Sequence, residues 1–359
     1  MPSVLIAGGG SGGHVAPAIA AAEALTKQGA TVLLAHSNRT IDIDMMAGSP
    51  FESVTLPAAP LSTKPLGFVR FCIGFLRSSA KVRSLIKDCD IDCVLATGGF
   101  VAAPALHGGN KVGCKTVLLN LDKPAGKANS LSVRWASTVL STVACDLQGA
   151  ELIAPPLRSC VINSTKANVC KEKFGLNPNK MTLLVTGASQ GASTINQLLP
   201  ALAKKNPSFF RGWEIVHIAG TAHIQKVEFA WKDANVPCKV LGFTQCMGDA
   251  WGAADLAVTR GGANTIAEIA MNGVPSIVMP YPYHADDHQR TNAEPLEQIG
   301  GVVIAKDHKD LELNLSEAGA QILQLLRDHQ VRFKMRQAML DASPPNGADA
   351  IATTCLNLL

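Results

Sequence analysis

Three glycine-rich loops are the places in this sequence where residue type and spacing could support chemistry. They run over 8–13, which reads Gly-Gly-Gly-Ser-Gly-Gly, over 187–191 and over 260–264. Glycine lets a bound phosphate come close to the backbone, and the free N–H groups of a helix that follows such a loop favour a diphosphate. The third loop stands directly before a predicted helix and contains no Walker lysine. It therefore predicts nucleoside diphosphate binding without phosphoryl transfer.

His14 follows the first loop and is the candidate general base. An imidazole suits this task because it can accept a proton near neutral pH. Capping or packing at the start of a helix is the alternative role for this side chain.

The same loops also occur in dinucleotide-dependent oxidoreductases. Gly8, Gly10 and Gly13 satisfy G-x-G-x-x-G, but an NAD site needs an acidic residue after the second strand, where 36–38 reads His-Ser-Asn. An NADP enzyme that uses Arg39 remains open. The loop at 187–191 is like the opening of short-chain dehydrogenases, yet neither tyrosine is followed by a lysine four residues later.

The elements that must position these loops alternate between strands and helices, which predicts parallel sheets. Strands are predicted at 4–7, 31–35, 93–96, 182–186, 256–259 and 276–279, and helices at 17–27, 194–204 and 265–271. A proline-containing stretch at 154–180 separates two halves of similar plan. We predict two Rossmann-like, doubly wound α/β domains, 1–160 and 161–343, whose parallel sheets face a cleft. A C-terminal helix at 344–359 is expected to pack back on the first domain.

Composition excludes several classes of protein. The chain has 359 residues, of which 47% are hydrophobic and 17% charged, which is typical of globular proteins. A net charge of +4 is too small to predict nucleic acid binding. The N-terminus lacks a basic region and no stretch approaches the ~20 apolar residues of a membrane span, so we expect a cytoplasmic protein. The ten scattered cysteines then indicate reduced thiols and not a zinc site.

Several motifs, in their order along the chain, resemble the MurG family of cell-wall N-acetylglucosaminyltransferases. They are the loop at 8–17, the glycine element at 97–104, the segment at 154–158 that resembles "NPxR", the loop at 187–192 that resembles "GGSQGA", and the run from 260 to 293. The resemblance implies a GT-B fold. It also implies an inverting transfer of GlcNAc from UDP-GlcNAc to lipid-linked N-acetylmuramyl-pentapeptide, a step of peptidoglycan synthesis. We expect the reaction to need neither a cofactor nor a metal.

The resemblance implies that UDP-GlcNAc is held mainly by the C-terminal domain, with His14 as the base. Glu268 would bind the ribose hydroxyls, Thr265 with its helix N-terminus the diphosphate, and Gln289 the sugar hydroxyls. Thr244 would lie near uracil, Ser189 and Arg158 near the nucleotide, and Ser11, Gly12 and Gly13 over the phosphates. The predicted donor site also includes Ala263, Asn264, Ile266 and Ala267.

For several of these residues, a purely structural role is the alternative to ligand binding. Thr265 and Glu268 match the Ser/Thr-x-x-Glu pattern of a capping box. Gln289 could lie on a helix surface, Arg158 in a linker ion pair and Ser189 in a turn. The Asp-x-Asp pairs at 42–44 and 88–92 are interpreted as solvated acids of turns and not as metal ligands.

The acceptor half departs from the family at one run. The family carries His-Glu-Gln-Asn where this chain reads Leu119-Asn120-Leu121-Asp122. Two further hypotheses follow: a related GT-B enzyme with another acceptor, such as a glycolipid or natural product, and an inactive nucleotide-sugar-binding homologue.

The segment at 66–76 is rich in aromatic and aliphatic residues, and basic residues accompany it at Arg70, Arg77, Lys81, Arg83 and Lys87. This pattern predicts peripheral docking on an anionic membrane surface at its cytoplasmic face. The alternative is a buried helix with a charged outer face.

Overall fold

The structure is a computed structural model that describes residues 1–122, 125–187, 191–283, 287–342 and 345–359. The chain forms two compact units, Met1–Arg158 with Pro344–Leu359 and Ser159–Ser343. Each unit is built on one parallel sheet with helices on its two faces, so the predicted fold class is confirmed.

The first unit contains a seven-stranded sheet with the order β3-β2-β1-β4-β5-β6-β7. Its strands are β1 Ser3–Gly8, β2 Thr31–His36, β3 Ser53–Thr55, β4 Cys93–Gly98, β5 Lys115–Asn120, β6 Thr138–Ser141 and β7 Ala150–Leu152. Its helices are α1 Gly12–Lys27, α2 Thr40–Ala47, α3 Pro65–Asp88, α4 Ala102–Lys111, α5 Lys127–Ser132 and α15 Gly347–Asn357. The central strands β1 and β4 are buried along their whole length, as expected for a sheet covered on both faces.

The second unit contains a six-stranded parallel sheet with the order β10-β9-β8-β11-β12-β13. Its strands are β8 Met181–Thr186, β9 Trp213–Ile218, β10 Cys238–Leu241, β11 Leu256–Thr259, β12 Ser276–Val278 and β13 Val302–Ile304. Its helices are α6 Ala167–Lys173, α7 Ser193–Lys205, α8 Ile224–Asp233, α9 Met247–Ala253, α10 Ala263–Asn272, α11 His288–Gln298, α12 Leu311–Ser316, α13 Ala318–Arg327 and α14 His329–Ala342.

The C-terminal helix α15 packs on α1 within the first unit. Ile351, Ala352 and Cys355 of α15 are fully buried in one core cluster with the alanine-rich face of α1. The side chain of Asn346 caps α15 and also bonds to both backbone groups of Leu157, at 2.9 Å to its N–H and 2.7 Å to its carbonyl. These bonds fix the segment at 154–158 against the start of α15.

Two predicted helix boundaries are wrong. α1 begins at Gly12 and not at position 17, so Pro17 lies inside the helix. Proline there removes the bond to the carbonyl of Gly13 and its ring crowds that carbonyl, which is why a helix start at position 17 was the expected arrangement. α10 begins at Ala263 and not at position 265.

Among the residues that the structure describes, no helix combines the length and apolar character that crossing a membrane requires.

Candidate active site

The loop after β1 lies where the strand order of the first sheet reverses, between β1 and β4. Ligands of doubly wound sheets bind at the carboxyl ends of strands at such a switch point. Four of the predicted residues lie here. Ser11 is the N-cap of α1, and Gly12, Gly13 and His14 form the first turn of that helix.

The imidazole of His14 lies against the backbone at the end of β4. A methyl group on Gly98 would lie 2.5 Å from Cδ2 of this ring, and one on Gly99 would lie 3.3 Å from its Nδ1. Both glycines have positive φ angles, 114° and 76°. Nδ1 of His14 is 3.0 Å from the hydroxyl of Ser11, and the hydroxyl of Thr97 donates to the His14 carbonyl at 2.8 Å. The glycine element at 97–104 therefore gives the ring room and fixes its backbone.

The protonation of His14 follows from its surroundings. Burial lowers the pKa of His14 below its ordinary value of 6.5, and the carboxylates of Asp122 and Asp42 oppose that shift. The imidazole is therefore mostly neutral at neutral pH and able to accept a proton. Ser11, and not His14, occupies the N-cap position of α1, so His14 is not the cap itself. Packing at the start of the helix stays an alternative role, because the ring bonds to Ser11 and lies against Gly98.

Asp42 is not the solvated turn acid that the sequence predicts. It lies in α2 and is fully buried. One of its oxygens, Oδ2, accepts from the N–H of Gly10 at 2.6 Å and from the hydroxyl of Ser37 at 2.5 Å. Arg39 donates to the carbonyl of Gly10 at 2.6 Å. The backbone of the first glycine loop is thus held on both sides by residues more than 25 positions away, which no local pattern reveals.

The altered run at 119–122 ends β5, next to β4 at the same edge of the sheet. Leu119 is fully buried in the core. The side-chain amide of Asn120 donates to the carbonyl of Asp122 at 2.9 Å and to the hydroxyl of Ser141 at 3.1 Å, and its oxygen accepts from Asn129 at 3.0 Å. Two positions of the run are therefore structural, while Asp122 is exposed and its charge acts on His14.

In the second unit, the loop after β11 lies at the corresponding switch point, between β8 and β11. Gly262 is the N-cap of α10, and its carbonyl accepts from the N–H of Ile266 at 2.9 Å. The predicted run Ala263, Asn264, Thr265, Ile266, Ala267 and Glu268 therefore forms the first two turns of one helix.

The capping-box interpretation of Thr265 and Glu268 is wrong. Thr265 is the third residue of α10 and not its cap. Oε2 of Glu268 accepts from the indole N–H of Trp251, on α9, at 2.9 Å. This bond fixes the direction of the carboxylate along the side of α10.

Gln289 lies in α11, and its side chain joins two loops, so it is not an ordinary helix-surface residue. Its Oε1 accepts from the N–H of Gly261 at 3.2 Å and from the N–H of Tyr281 at 2.9 Å. Asn292 donates to the carbonyl of Gly261 at 3.0 Å. The structure thus brings Gln289 next to the glycine loop that opens α10.

A buried ion pair supports this loop, and the sequence analysis missed it. Nη1 of Arg260 is 2.9 Å from Asp307, and its Nη2 donates to the hydroxyl of Thr194 at 2.6 Å. Arg260 is 5% exposed, as is Asp307. Burial raises the pKa of Asp307, but bonds from Thr194, the Lys309 N–H and Asn314, together with Arg260, bring that pKa below its ordinary value. The partners are separated by more than 45 residues, so no motif signals them.

Three predicted residues remain: Thr244, Arg158 and Ser189. Thr244 lies between β10 and α9, and its hydroxyl accepts from the N–H of Cys246 at 3.2 Å. Arg158 is half-buried at the last position of the first segment of unit one. Ser189 lies outside the described residues.

Comparisons with known proteins agree with this architecture. The glycosyltransferase family 28 N-terminal domain matches residues 4–141, and the glycosyltransferase family 28 C-terminal domain matches residues 182–350. A crystal structure of Acinetobacter baumannii MurG superimposes with a TM-score of 0.74 at 22% identity and covers 99% of both chains. Phytolacca americana UGT2, complexed with UDP-2fluoro-glucose and pterostilbene, superimposes with a TM-score of 0.66 at 15% identity over 100% of this chain and 98% of that one. The fold and its two glycine loops define a glycosyltransferase of the GT-B class.

Two curated relatives narrow this class. Both are named UDP-N-acetylglucosamine–N-acetylmuramyl-(pentapeptide) pyrophosphoryl-undecaprenol N-acetylglucosamine transferase. The one from Clavibacter michiganensis is 31% identical over 361 residues, 98% of this chain and 95% of the relative. The one from Caulobacter vibrioides is 31% identical over 357 residues, 97% of this chain and 96% of the relative. The chain belongs to the MurG family.

Proposed function

We propose that this chain transfers GlcNAc from UDP-GlcNAc to the 4-hydroxyl of lipid-linked N-acetylmuramyl-pentapeptide, with inversion at the transferred sugar. This reaction is the step of peptidoglycan synthesis for which its full-length relatives are named. The observation that carries the proposal is the half-buried His14, held at the switch point of the first sheet with a lowered pKa. Because the chain belongs to the MurG family, we assign His14 to the GlcNAc transfer for which the relatives are named.

The donor would be bound by the second unit. The N–H groups and dipole at the start of α10 favour a diphosphate, and the hydroxyl of Thr265 lies in the same turn. Glu268, oriented by Trp251, would accept from the ribose hydroxyls, and Gln289 would contact the sugar. We assign Thr244 to the uracil, and Arg158 and Ser189 to the nucleotide, by similarity to the family.

His14 would act as the general base. It takes the proton from the acceptor 4-hydroxyl while that oxygen forms a bond to C1 of GlcNAc and the bond from C1 to the UDP oxygen breaks. If Nδ1–H donates to Ser11, Nε2 is left as the proton acceptor. The negative charge that develops on UDP is stabilised by the N-terminus of α10. A single displacement of this kind inverts the configuration at C1.

Helix α3 supports a peripheral position at the cytoplasmic face of an anionic membrane. Leu66, Phe68 and Leu76 are 67%, 51% and 65% exposed, although they are apolar. Arg70 lies between Phe68 and Leu76, Arg77 follows Leu76 directly, and both arginines are exposed. α3 buries Gly74, Ser78, Ser79 and Val82, whereas its outer face carries apolar residues as well as charged ones. An apolar surface with basic residues beside it favours anionic lipid.

A second candidate is a GT-B enzyme with another acceptor, such as a glycolipid or natural product. It is favoured by the run at 119–122, where the His and Glu of the family are replaced by a core leucine and by Asn120, whose side chain bonds within the protein. An inactive nucleotide-sugar-binding homologue is the third candidate.

The test is UDP release from UDP-GlcNAc with three samples: no acceptor, lipid-linked muramyl-pentapeptide, and diacylglycerol. We expect release only with the muramyl-pentapeptide, together with a disaccharide product. Release only with diacylglycerol would establish the second candidate. Tight donor binding without release in any sample would establish the inactive homologue.

A further inference from the structure

A cavity of about 350 Å³ lies at the carboxyl edge of the first sheet. Its walls come from the segments that follow β2, β3 and β4 and from one side of α3. Arg39, Arg70 and Arg77 line it, and no acidic residue is found among the described residues that do so. Three guanidinium groups without a lining carboxylate make the cavity selective for an anion.

One wall of the cavity is shared with the glycine loop that carries His14. The guanidinium of Arg39 lies over the ring of Phe100, 5.0 Å from its centre, and also donates to the carbonyl of Gly10 at 2.6 Å. A methyl group on Gly10 would lie 2.7 Å from the Phe100 ring. Arg39 and Phe100 are therefore in contact with the loop directly before Ser11.

The opposite wall is the side of α3 that carries Arg70 and Arg77. They are seven positions apart, so they lie on one side of the helix with two turns between them. Gly74, between them, is buried, and a methyl group there would lie 2.7 Å from the carbonyl of Pro57. This close approach holds α3 against the segment after β3, so both arginines border the cavity.

An apolar stripe runs along α3 beside the two arginines. Its members are spaced three or four residues apart and are between 46% and 67% exposed: Leu66, Val69, Ile73 and Leu76. Ile73 belongs to this stripe and also lines the cavity. The stripe and the cavity are therefore continuous.

We propose that Arg39, Arg70 and Arg77 bind the diphosphate that joins the acceptor sugar to its lipid. This inference rests on the proposed function for the identity of the acceptor. Guanidinium groups match phosphate oxygens with paired N–H bonds. The lipid then lies along the apolar stripe, the diphosphate in the cavity and the sugar toward His14. The order of these three surfaces matches the order lipid, diphosphate and sugar in the acceptor.

The test is a calorimetric titration of the full chain with geranyl diphosphate, without detergent or vesicles. Saturating UDP is present, so that the titrant does not occupy the donor site at α10. The double variant Arg70→Gln/Arg77→Gln should bind geranyl diphosphate at least about tenfold more weakly, because two charged hydrogen-bond donors are lost. Unchanged binding would overturn the proposal.

The matched control is Arg83→Gln/Lys87→Gln, which removes the same charge from the same helix outside the cavity. It should bind geranyl diphosphate like the wild type. Equal weakening in both double variants would mean that general surface charge attracts the ligand, and would refute the cavity as a site.

Phosphatidylglycerol vesicles distinguish the two possible sources of phosphate. Loss of vesicle binding in the cavity variant with intact geranyl diphosphate binding would assign the cavity to bilayer headgroups and overturn the proposal. Weaker geranyl diphosphate binding together with a raised KM for the lipid-linked acceptor, at unchanged KM for UDP-GlcNAc, would support it. If no acceptor-dependent UDP release occurs at all, the proposed function fails, while the titration still tests the cavity.

Discussion

Gly98→Ala should remove most of the activity by displacing His14. The added methyl group would lie 2.5 Å from Cδ2 of the imidazole, whereas ordinary contacts begin at 3.4 Å. The ring must therefore move by roughly 1 Å, and a misplacement of that size can lower turnover about 100-fold. A positive φ of 114° adds a cost of roughly 1–2 kcal/mol to folding for any residue with a Cβ.

The assay separates these two effects with a matched control, Gly113→Ala. Gly113 also has a positive φ, 75°, but a methyl group there meets nothing within 4 Å. Both variants should lose comparable stability in thermal unfolding, and only Gly98→Ala should lose turnover at saturating donor and acceptor. UDP-GlcNAc binding should stay intact in both. Equal turnover in the two variants would refute the placement of His14 as the base.

Three other changes test separate parts of the site. Asp122→Asn removes a carboxylate that raises the pKa of His14, so the acidic limb of the pH profile of kcat/KM should move to lower pH; an unmoved limb would exclude this charge effect. Glu268→Ala should weaken UDP-GlcNAc binding in a direct titration, and an unchanged Kd would exclude this carboxylate, which accepts from the indole of Trp251, from the donor site. Asp307→Asn leaves the buried Arg260 without its counter-ion and should destabilise the protein by about 3–5 kcal/mol in urea unfolding. A loss below about 1 kcal/mol would mean that the pair is solvated.

The sequence predicts the sheets and the loops better than the contacts between them. Strand β11 has the predicted bounds, because a short apolar run between a helix and a glycine loop has few alternatives. The predicted start of α1 at position 17 is wrong. Proline is favoured at the first helical position, whereas Pro17 lies inside α1, which begins at Gly12.

The residues that the sequence analysis missed act over long distances in the chain. Asp42 has the spacing of a solvated acid, but the fold buries it under the first glycine loop. The sequence places Arg260 in a predicted loop but gives no sign of its ion pair with Asp307. That pair forms because β11, β12 and β13 are neighbours in the sheet and their ends lie close together. Local patterns contain no information about such pairs, because strand order brings them together.

The capping-box pattern shows that a local pattern can also predict an interaction that the structure does not form. Thr265 and Glu268 have the right types and spacing for a capping box, but Gly262, three residues before the predicted start, caps α10 instead. The threonine is thereby left in the first turn, where a diphosphate would bind.

The most direct test of the central claim is acceptor-dependent UDP release by the wild type and by His14→Ala, with UDP-GlcNAc binding measured on the same samples. The wild type should form the disaccharide only with lipid-linked muramyl-pentapeptide. The variant should lose about 100-fold or more in turnover and bind the donor normally, because His14 belongs to the first unit and acts on the acceptor hydroxyl. Equal turnover in both proteins would contradict the account.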